Sequence, residues 1–531
     1  MKNQKKPLIL LLTAAIATLA QAANAESVLR RGNGSEPHSI DPQTAEGVPE
    51  SNILRDLFEG LIGEDASGNL VPGVAEKWEI SADGKTYTFH LRHNAKWSDG
   101  TPLTAHDFVY GWQRAVNPET GSHYSFLLYP VKNAQKIAEG HEKDVNQLGV
   151  KATDDYTLVA ELEGPTPYFL GLLTHATAYP APKAAIEKHG KKWTRPENLV
   201  SNGPFKLDSW QPNAQLVAVK SDQYWDKDAV KLDKVIYYPT ENQTSDMNRY
   251  RAGEVDMTYE IPNDQIKMLR ENFKDELKIS SYLGTYYYGF NLTRPPFKDN
   301  PKLREALTLA IDRDIITDKV TGVGEKPAYS FVPPGINGYD HYTPEYASLD
   351  KAARIEKAKK LYEEAGYGKD KPLKVDLLYN TNENHKKIAV AVAAMWKQNL
   401  GVQTNLTNQE WKVFLTTRTE KKQTEAFRAG WIGDYNDAYS FLELFQSKSG
   451  LNDSGYASEK YDALLAQAAQ EQDMAKRAAI LKEAEKMLTD DYPVAPIYSY
   501  VTKRLVKPYV KGYADENVMD HRSSKYMWIE K

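Results

Sequence analysis

A single hydrophobic core stops growing far short of 531 residues, so this chain has to divide into two or three domains that each bury an interior of their own. Hydrophobic residues at 41% and charged residues at 26% are the proportions of an ordinary soluble globular protein, which sets aside disordered and fibrous chains. No segment repeats with a period of roughly 20 to 50 residues, so solenoids and propellers drop out as well.

The N-terminus reads differently from the rest. Lys2, Lys5 and Lys6 precede an apolar run over residues 7–20, and Ala23-Asn24-Ala25 places small residues where a signal peptidase needs them. The run is shorter than the roughly 20 apolar residues of a spanning helix, so residues 1–25 are expected to be a secretory signal peptide cleaved before Glu26. No second apolar run of that length follows, and a chain without cysteine has no cysteine to carry a lipid anchor. The expected product is free in the periplasm. Zero cysteines also removes disulfides, thiolate metal sites and thiol redox chemistry. Losing the three signal lysines moves the formal charge from −5 to −8, and a mildly acidic surface speaks against nucleic acid or anionic lipid as partner.

Short strand-like runs alternate with amphipathic helices, the rhythm of an α/β fold. Tyr87-Thr88-Phe89-His90-Leu91-Arg92 alternates with period two, Ser98-Asp99-Gly100 turns, and Thr104 with Asp107 three residues on predicts a capped helix start. Ala352, Ile355, Ala358, Leu361, Tyr362 and Ala365 mark one helix face that stops at Gly366, and Leu373, Val375, Leu377 and Tyr379 then alternate as a strand. Asp473 opens a helix with Ala478, Leu481, Ala484 and Leu488 on one side, followed by extended chain over 493–500. Composition marks no linker; the turn-rich stretch 293–301 is a possible crossing between domains.

A search for catalytic motifs finds no Gly-x-Ser-x-Gly elbow, His-Glu-x-x-His, phosphate loop or dinucleotide fingerprint, and neither a catalytic residue nor a cofactor is assigned. His90 and His93, on a strand and its exit, are expected on opposite faces, so no metal site is assigned either. The bias of the aromatics, 33 Tyr and 10 Trp against 14 Phe, suits a large cavity that is apolar yet forms hydrogen bonds. Within Ala429-Gly430-Trp431-Ile432-Gly433-Asp434-Tyr435-Asn436 an acid sits among glycines, aromatics and an aliphatic, where it needs a cation or several donors to stay ionised. Asp434 is therefore either a helix cap or structural ion-pair partner, or an acid waiting for a ligand. Trp411, Arg418, Arg428 and Trp431 supply the indoles and guanidiniums to complete a pocket for a zwitterion.

Asn33-Gly34-Ser35-Glu36 with Ile40-Asp41-Pro42, the run from Glu46 through Asn52 with Arg55-Asp56-Leu57-Phe58-Glu59-Gly60-Leu61, Lys96-Trp97-Ser98-Asp99-Gly100-Thr101-Pro102 and residues 430–436 closely resemble the periplasmic oligopeptide-binding proteins. The likeness runs over essentially the whole mature chain. It implies a periplasmic binding protein-like α/β fold (type II, cluster C), two lobes with an extra domain: domain I from 26–58, 184–283 and 502–531, domain II from 59–183, domain III from 284–501. It further implies a monomer that closes over a short extended peptide and delivers it to an inner-membrane ABC permease. Carried over by position, the resemblance implies that Asp434 meets the peptide α-ammonium, Gly430 lies on the strand that pairs with the ligand, Glu46 and Val48 are binding positions on the opposite lobe, Tyr124 is an aromatic of the second domain, and Trp411, Trp431, Arg418, Arg428, His385 and Tyr500 line the pocket, Arg428, with His385 for longer ligands, taking the C-terminal carboxylate. Departures from the resemblance are Gly284 and Ile432 for a cysteine pair, Thr321 for a lysine, and Glu260-Ile261 for an Asn-Asn pair. A dedicated binder of murein tripeptide, whose γ-linked glutamate leaves a spare carboxylate for an arginine such as Arg418, or of dipeptides is the alternative within the fold. A periplasmic peptide hydrolase or a chaperone is the alternative outside it.

Overall fold

Three sheets, each assembled from separated stretches of chain, form the frame. The computed structural model describes residues 26–531, and the expected signal peptide lies outside the described residues. In the first sheet Val28–Gly32 lies parallel to Lys234–Tyr238, which continues antiparallel into Gln215–Lys220 and Phe205–Gln211. The second is antiparallel throughout, in the order Ala75–Ile80, Thr86–Leu91, Thr157–Glu161, Val150–Asp154. Its alternation is the one expected: Tyr87, Phe89 and Leu91 are buried while Thr86, Thr88 and His90 are only partly so. The following helix Ala105–Val116 sets Phe108 and Trp112 into the same core, and the Trp112 indole N–H donates to the Ala178 carbonyl at 2.8 Å.

That helix starts where Thr104 and Asp107 place it, the Thr104 backbone N–H donating to Asp107 Oδ2 at 2.8 Å and its hydroxyl to the same oxygen at 3.1 Å. One carboxylate thus serves two donors at a helix end, and Asp107→Ala is expected to cost about 1 kcal/mol of stability, read from the urea midpoint.

The third and largest sheet runs Lys326–Pro327, Val494–Leu505, Leu277–Phe290, Ala426–Ile432, Lys374–Asn380, Gln403–Gln409. Helices Lys351–Glu364, Glu383–Leu400 and Met474–Asp491 flank it, the last capped by Asp473 as its sequence suggests. Phe290, Phe297 and Leu303 share one buried cluster, so the turn-rich stretch 293–301 joins neighbours inside this interior and is not a crossing between domains.

Two strands do pass between interiors. Leu277–Phe290 and Val494–Leu505 run antiparallel side by side, with a register break between Ser281 and Thr285. On one side of the break Leu505 packs with Met247, Tyr250 and Ile261; on the other Tyr286, Tyr288 and Tyr498 pack with Trp396 and Leu377. Paired extended strands need no Gly- or Pro-rich spacer, which explains why composition marks no linker.

His90 stands 3.5 Å from Glu79 and His93 stacks on Tyr156 at 4.0 Å, so the two imidazoles have separate structural partners. Among the described residues no helix is long and apolar enough to cross a membrane.

Candidate functional site

The strand Ala426–Ile432 is only half paired on its outer side. Leu277–Phe290 covers its inner edge from Ala426 to Ile432, whereas Lys374–Asn380 reaches only Ala426 and Phe427 on the outer edge. Beyond Phe427 the outer edge borders a cavity of about 220 Å³. Asp434, Gly430, Glu46, Val48, Tyr124, Trp411, Arg418, Arg428, Trp431, His385 and Tyr500, scattered along the sequence, all line this one cavity. At Gly430 an added Cβ would meet the Tyr500 hydroxyl, so the glycine leaves room for that tyrosine to cross over the strand where it stands.

Asp434 occupies one end. It is buried, its backbone N–H donates to Ser440 Oγ at 2.8 Å, and its Oδ2 has no hydrogen-bond partner. Among the described residues its only neighbour at ion-pair range is His175, whose Nε2 is 3.6 Å from Oδ1. That imidazole accepts the Thr177 backbone N–H on Nδ1 at 3.3 Å, and burial, with Arg55 and His521 adding to it, holds its pKa down to about 3. A neutral ring whose Nδ1 accepts carries its proton on Nε2, so it offers Asp434 an N–H and no charge. Burial pushes the Asp434 carboxyl up to about 8, against the Arg55 charge and the Tyr124 hydroxyl, which pull it down. Among the described residues the site therefore holds a secluded acid with no Arg or Lys at ion-pair range, neither a helix cap nor half of a structural ion pair.

Arg428 marks the other end. The guanidinium donates to Tyr500 Oη at 2.5 Å and Asn380 Oδ1 at 3.2 Å, lies over the Tyr286 ring, and has no carboxylate partner. His385 stands near it, kept neutral by burial and then by the charges of Arg428 and Lys503. Three other cavity cations are occupied, Lys503 by Glu325 at 2.7 Å, Arg504 by Asp520 at 2.5 Å and Arg418 by Asp453 at 2.5 Å, whereas Arg55 has no carboxylate at ion-pair range among the described residues. On the opposite wall Glu46 Oε1 is 2.6 Å from His123 Nδ1, and this contact raises the imidazole pKa against burial. The Tyr124 ring lies 4.6 Å from His175 and 6.3 Å from Trp431, in a stack that joins both walls.

Arg55, His175, Lys503 and Asp453 were not singled out in the sequence; Arg55 alone stood in a quoted motif. At the departures, Gly284 and Ile432 prove to be direct cross-strand neighbours, the Ile432 side chain filling the space over the glycine. Thr321 is buried, its hydroxyl donating to the Thr317 carbonyl at 3.2 Å; Glu260 lines the cavity and Ile261 is core.

Residues 69–453 match the family described as bacterial extracellular solute-binding proteins, family 5 middle. The chain is 47% identical to the periplasmic oligopeptide-binding protein OppA of Salmonella typhimurium over 99% of both chains. It is 44% identical to the periplasmic murein peptide-binding protein MppA of Escherichia coli, over 93% of this chain and 92% of that one. Haemophilus influenzae OppA in complex with the peptide RPPGFSPFR superimposes with a TM-score of 0.93 at 43% identity, covering 96% of this chain and 100% of that one. MppA in its unliganded open form, at 42% identity over 95% and 97%, gives only 0.67. Near-equal identity with unequal superposition means that the overall arrangement of this chain matches the peptide complex more nearly than the open form. In sequence, fold and closed cavity alike, this chain belongs to the bacterial extracellular solute-binding proteins of family 5, a family of substrate-binding proteins, and is periplasmic like these relatives.

Proposed function

We propose that the chain is the periplasmic receptor of an ABC importer and encloses short peptides, with the free N-terminus at Asp434 and the C-terminal carboxylate at Arg428. The observation that carries this reading is the unpaired edge of Ala426–Ile432 between a cation-free acid and a carboxylate-free guanidinium. An extended peptide adds to such an edge as a further strand, so the main chain supplies affinity while the side chains enter hydrated space. Gly430 pairs with the ligand backbone, Glu46, Val48 and Tyr124 close from the opposite wall, Trp411 and Trp431 bound the side-chain space, and His385 and Tyr500 support Arg428. Domain I comprises 26–58, 184–283 and 502–531, domain II 59–183 and domain III 284–501. The membership of the three sheets supports this division, as only the two long paired strands pass between ranges. The closed monomer is the form an inner-membrane permease takes up, and the buried acids act as charge partners without catalysis.

Native mass spectrometry of the protein purified from its own periplasm tests this reading. Short peptides with free termini, released intact on unfolding, are the expected cargo. A retained non-peptide cargo, or cleavage of a labelled peptide on incubation, overturns it.

Asp434 also sets a pH dependence. Burial holds its carboxyl neutral below about 8, whereas an ammonium partner requires it ionised, so binding releases a proton in that range. Peptide affinity is expected to rise from pH 6 to 8 by up to about tenfold per unit, then fall as the α-amino group, of pKa about 8, loses its proton. Calorimetry in buffers of different ionisation enthalpy counts the proton; a pH-independent affinity contradicts it.

A further inference from the structure

Arg418 lines the cavity with its guanidinium largely covered, its side chain 12% exposed, and its Nε 2.5 Å from Asp453 Oδ2. Asp453 is itself buried, and its other oxygen accepts the Thr419 hydroxyl at 3.4 Å. The Arg418 Nε–H is in ionic contact with Asp453 without being aligned for a hydrogen bond, so the pairing is one of charge compensation. Glu46, on the opposite wall and also lining the cavity, adds a second carboxylate whose near partner is His123. The cavity lining at this corner therefore holds two acids against one guanidinium, with His123 behind Glu46, and both of these cations are paired; Lys421, which acts on Asp453 from outside the lining, is bound to the Thr419 carbonyl. A ligand carboxylate entering it would lose hydration and meet Asp453 and Glu46, with the lining guanidinium already paired to an acid.

On the peptide-binding reading above, we propose that Asp453 is a specificity-determining residue: by neutralising Arg418 it turns a corner suited to carboxylates into one that excludes them. Peptides with an acidic side chain at the facing position, and those whose γ-linked glutamate leaves a free α-carboxylate, bind poorly for this reason, and neutral side chains are preferred. The chain is thus a receptor for ordinary α-linked peptides and not a dedicated murein tripeptide binder, because the arginine suited to that spare carboxylate is already occupied.

The test is calorimetric titration of the full mature chain and of Asp453→Asn with tri-alanine, with tripeptides carrying one glutamate or one glutamine at each position in turn, and with the cell-wall tripeptide. Wild type is expected to bind glutamate at least tenfold more weakly than glutamine at one position, and the cell-wall tripeptide more weakly than tri-alanine. Asp453→Asn is expected to bring the glutamate-to-glutamine ratio within threefold while tri-alanine affinity changes by less than threefold. Should Asp453→Asn fail to fold, the double variant Arg418→Met with Asp453→Leu removes both charges at similar volume and is expected to keep excluding glutamate. An unchanged ratio in Asp453→Asn, acceptance of glutamate by the double variant, or a wild-type preference for the cell-wall tripeptide overturns the inference. If wild type binds no peptide at all, the underlying peptide reading fails instead.

Discussion

Replacing Asp434 with alanine is expected to weaken peptide binding at least tenfold, about 1.4 kcal/mol, with a ceiling near the 2–5 kcal/mol seen when one partner of a buried charge pair is cut away. The reason is the charge pattern around the acid. Among the described residues Asp434 is buried, has no cation at ion-pair range and leaves Oδ2 unpartnered, so a ligand ammonium pairs with it without displacing an internal ion pair. Removing the carboxylate then leaves that ammonium desolvated and unanswered. The fold itself is expected to survive, because a carboxyl held neutral by burial contributes no ion pair to stability, and Asp434→Asn keeps its shape while refusing to ionise. N-terminal acetylation of the peptide is expected to cost wild type a similar factor and to cost Asp434→Asn almost nothing, which makes the pair a double-mutant cycle read by calorimetry. Equal wild-type affinity for free and acetylated peptides would falsify the assignment.

Much of this was legible in the chain because local rules and tertiary structure agree there. Thr104 with Asp107, and Asp473 ahead of its apolar face, announce helix starts that the fold keeps. The seclusion of Asp434 was legible from its glycine and aromatic neighbours, since such a stretch cannot hydrate an acid. What could not be read is what depends on distant partners. Lys503 sits near the end of a long strand, where a lysine reads as solvent-facing, yet Glu325 from a remote loop pairs with it in the interior. Asp453 follows an asparagine in a turn and looks like a turn acid; only folding brings it to Arg418. His175 has no sequence signature at all, and its tautomer is fixed by the Thr177 backbone. The stretch 293–301 misleads for the complementary reason: its prolines and polar residues resemble a linker, while Phe297 anchors it in the core.

Arg428→Met is expected to lower affinity for free-acid peptides by at least tenfold and to abolish the difference between a peptide and its C-terminal amide, a difference of at least about 1.4 kcal/mol in wild type. Methionine preserves an unbranched apolar stem against Tyr286, so the loss reports the charge more than the packing. Among the described residues two cavity arginines, Arg428 and Arg55, have no carboxylate at ion-pair range, and Arg55 stands near enough to Asp434 to act on its charge. Arg418, Lys503 and Arg504 are each bound to a buried acid, whereas Arg428 spends donors only on the neutral oxygens of Asn380 and Tyr500 and leaves its Nε–H without a partner. A buried guanidinium with five donors and no anion is a poor element of a resting structure and a good receptor for a carboxylate. His385, kept neutral, adds a hydrogen bond without charge, so His385→Asn is expected to have a smaller effect. Persistence of the acid-to-amide difference in Arg428→Met would place the carboxylate at Arg55, the remaining cavity cation without a carboxylate partner, and would reverse the direction in which the peptide lies along the strand.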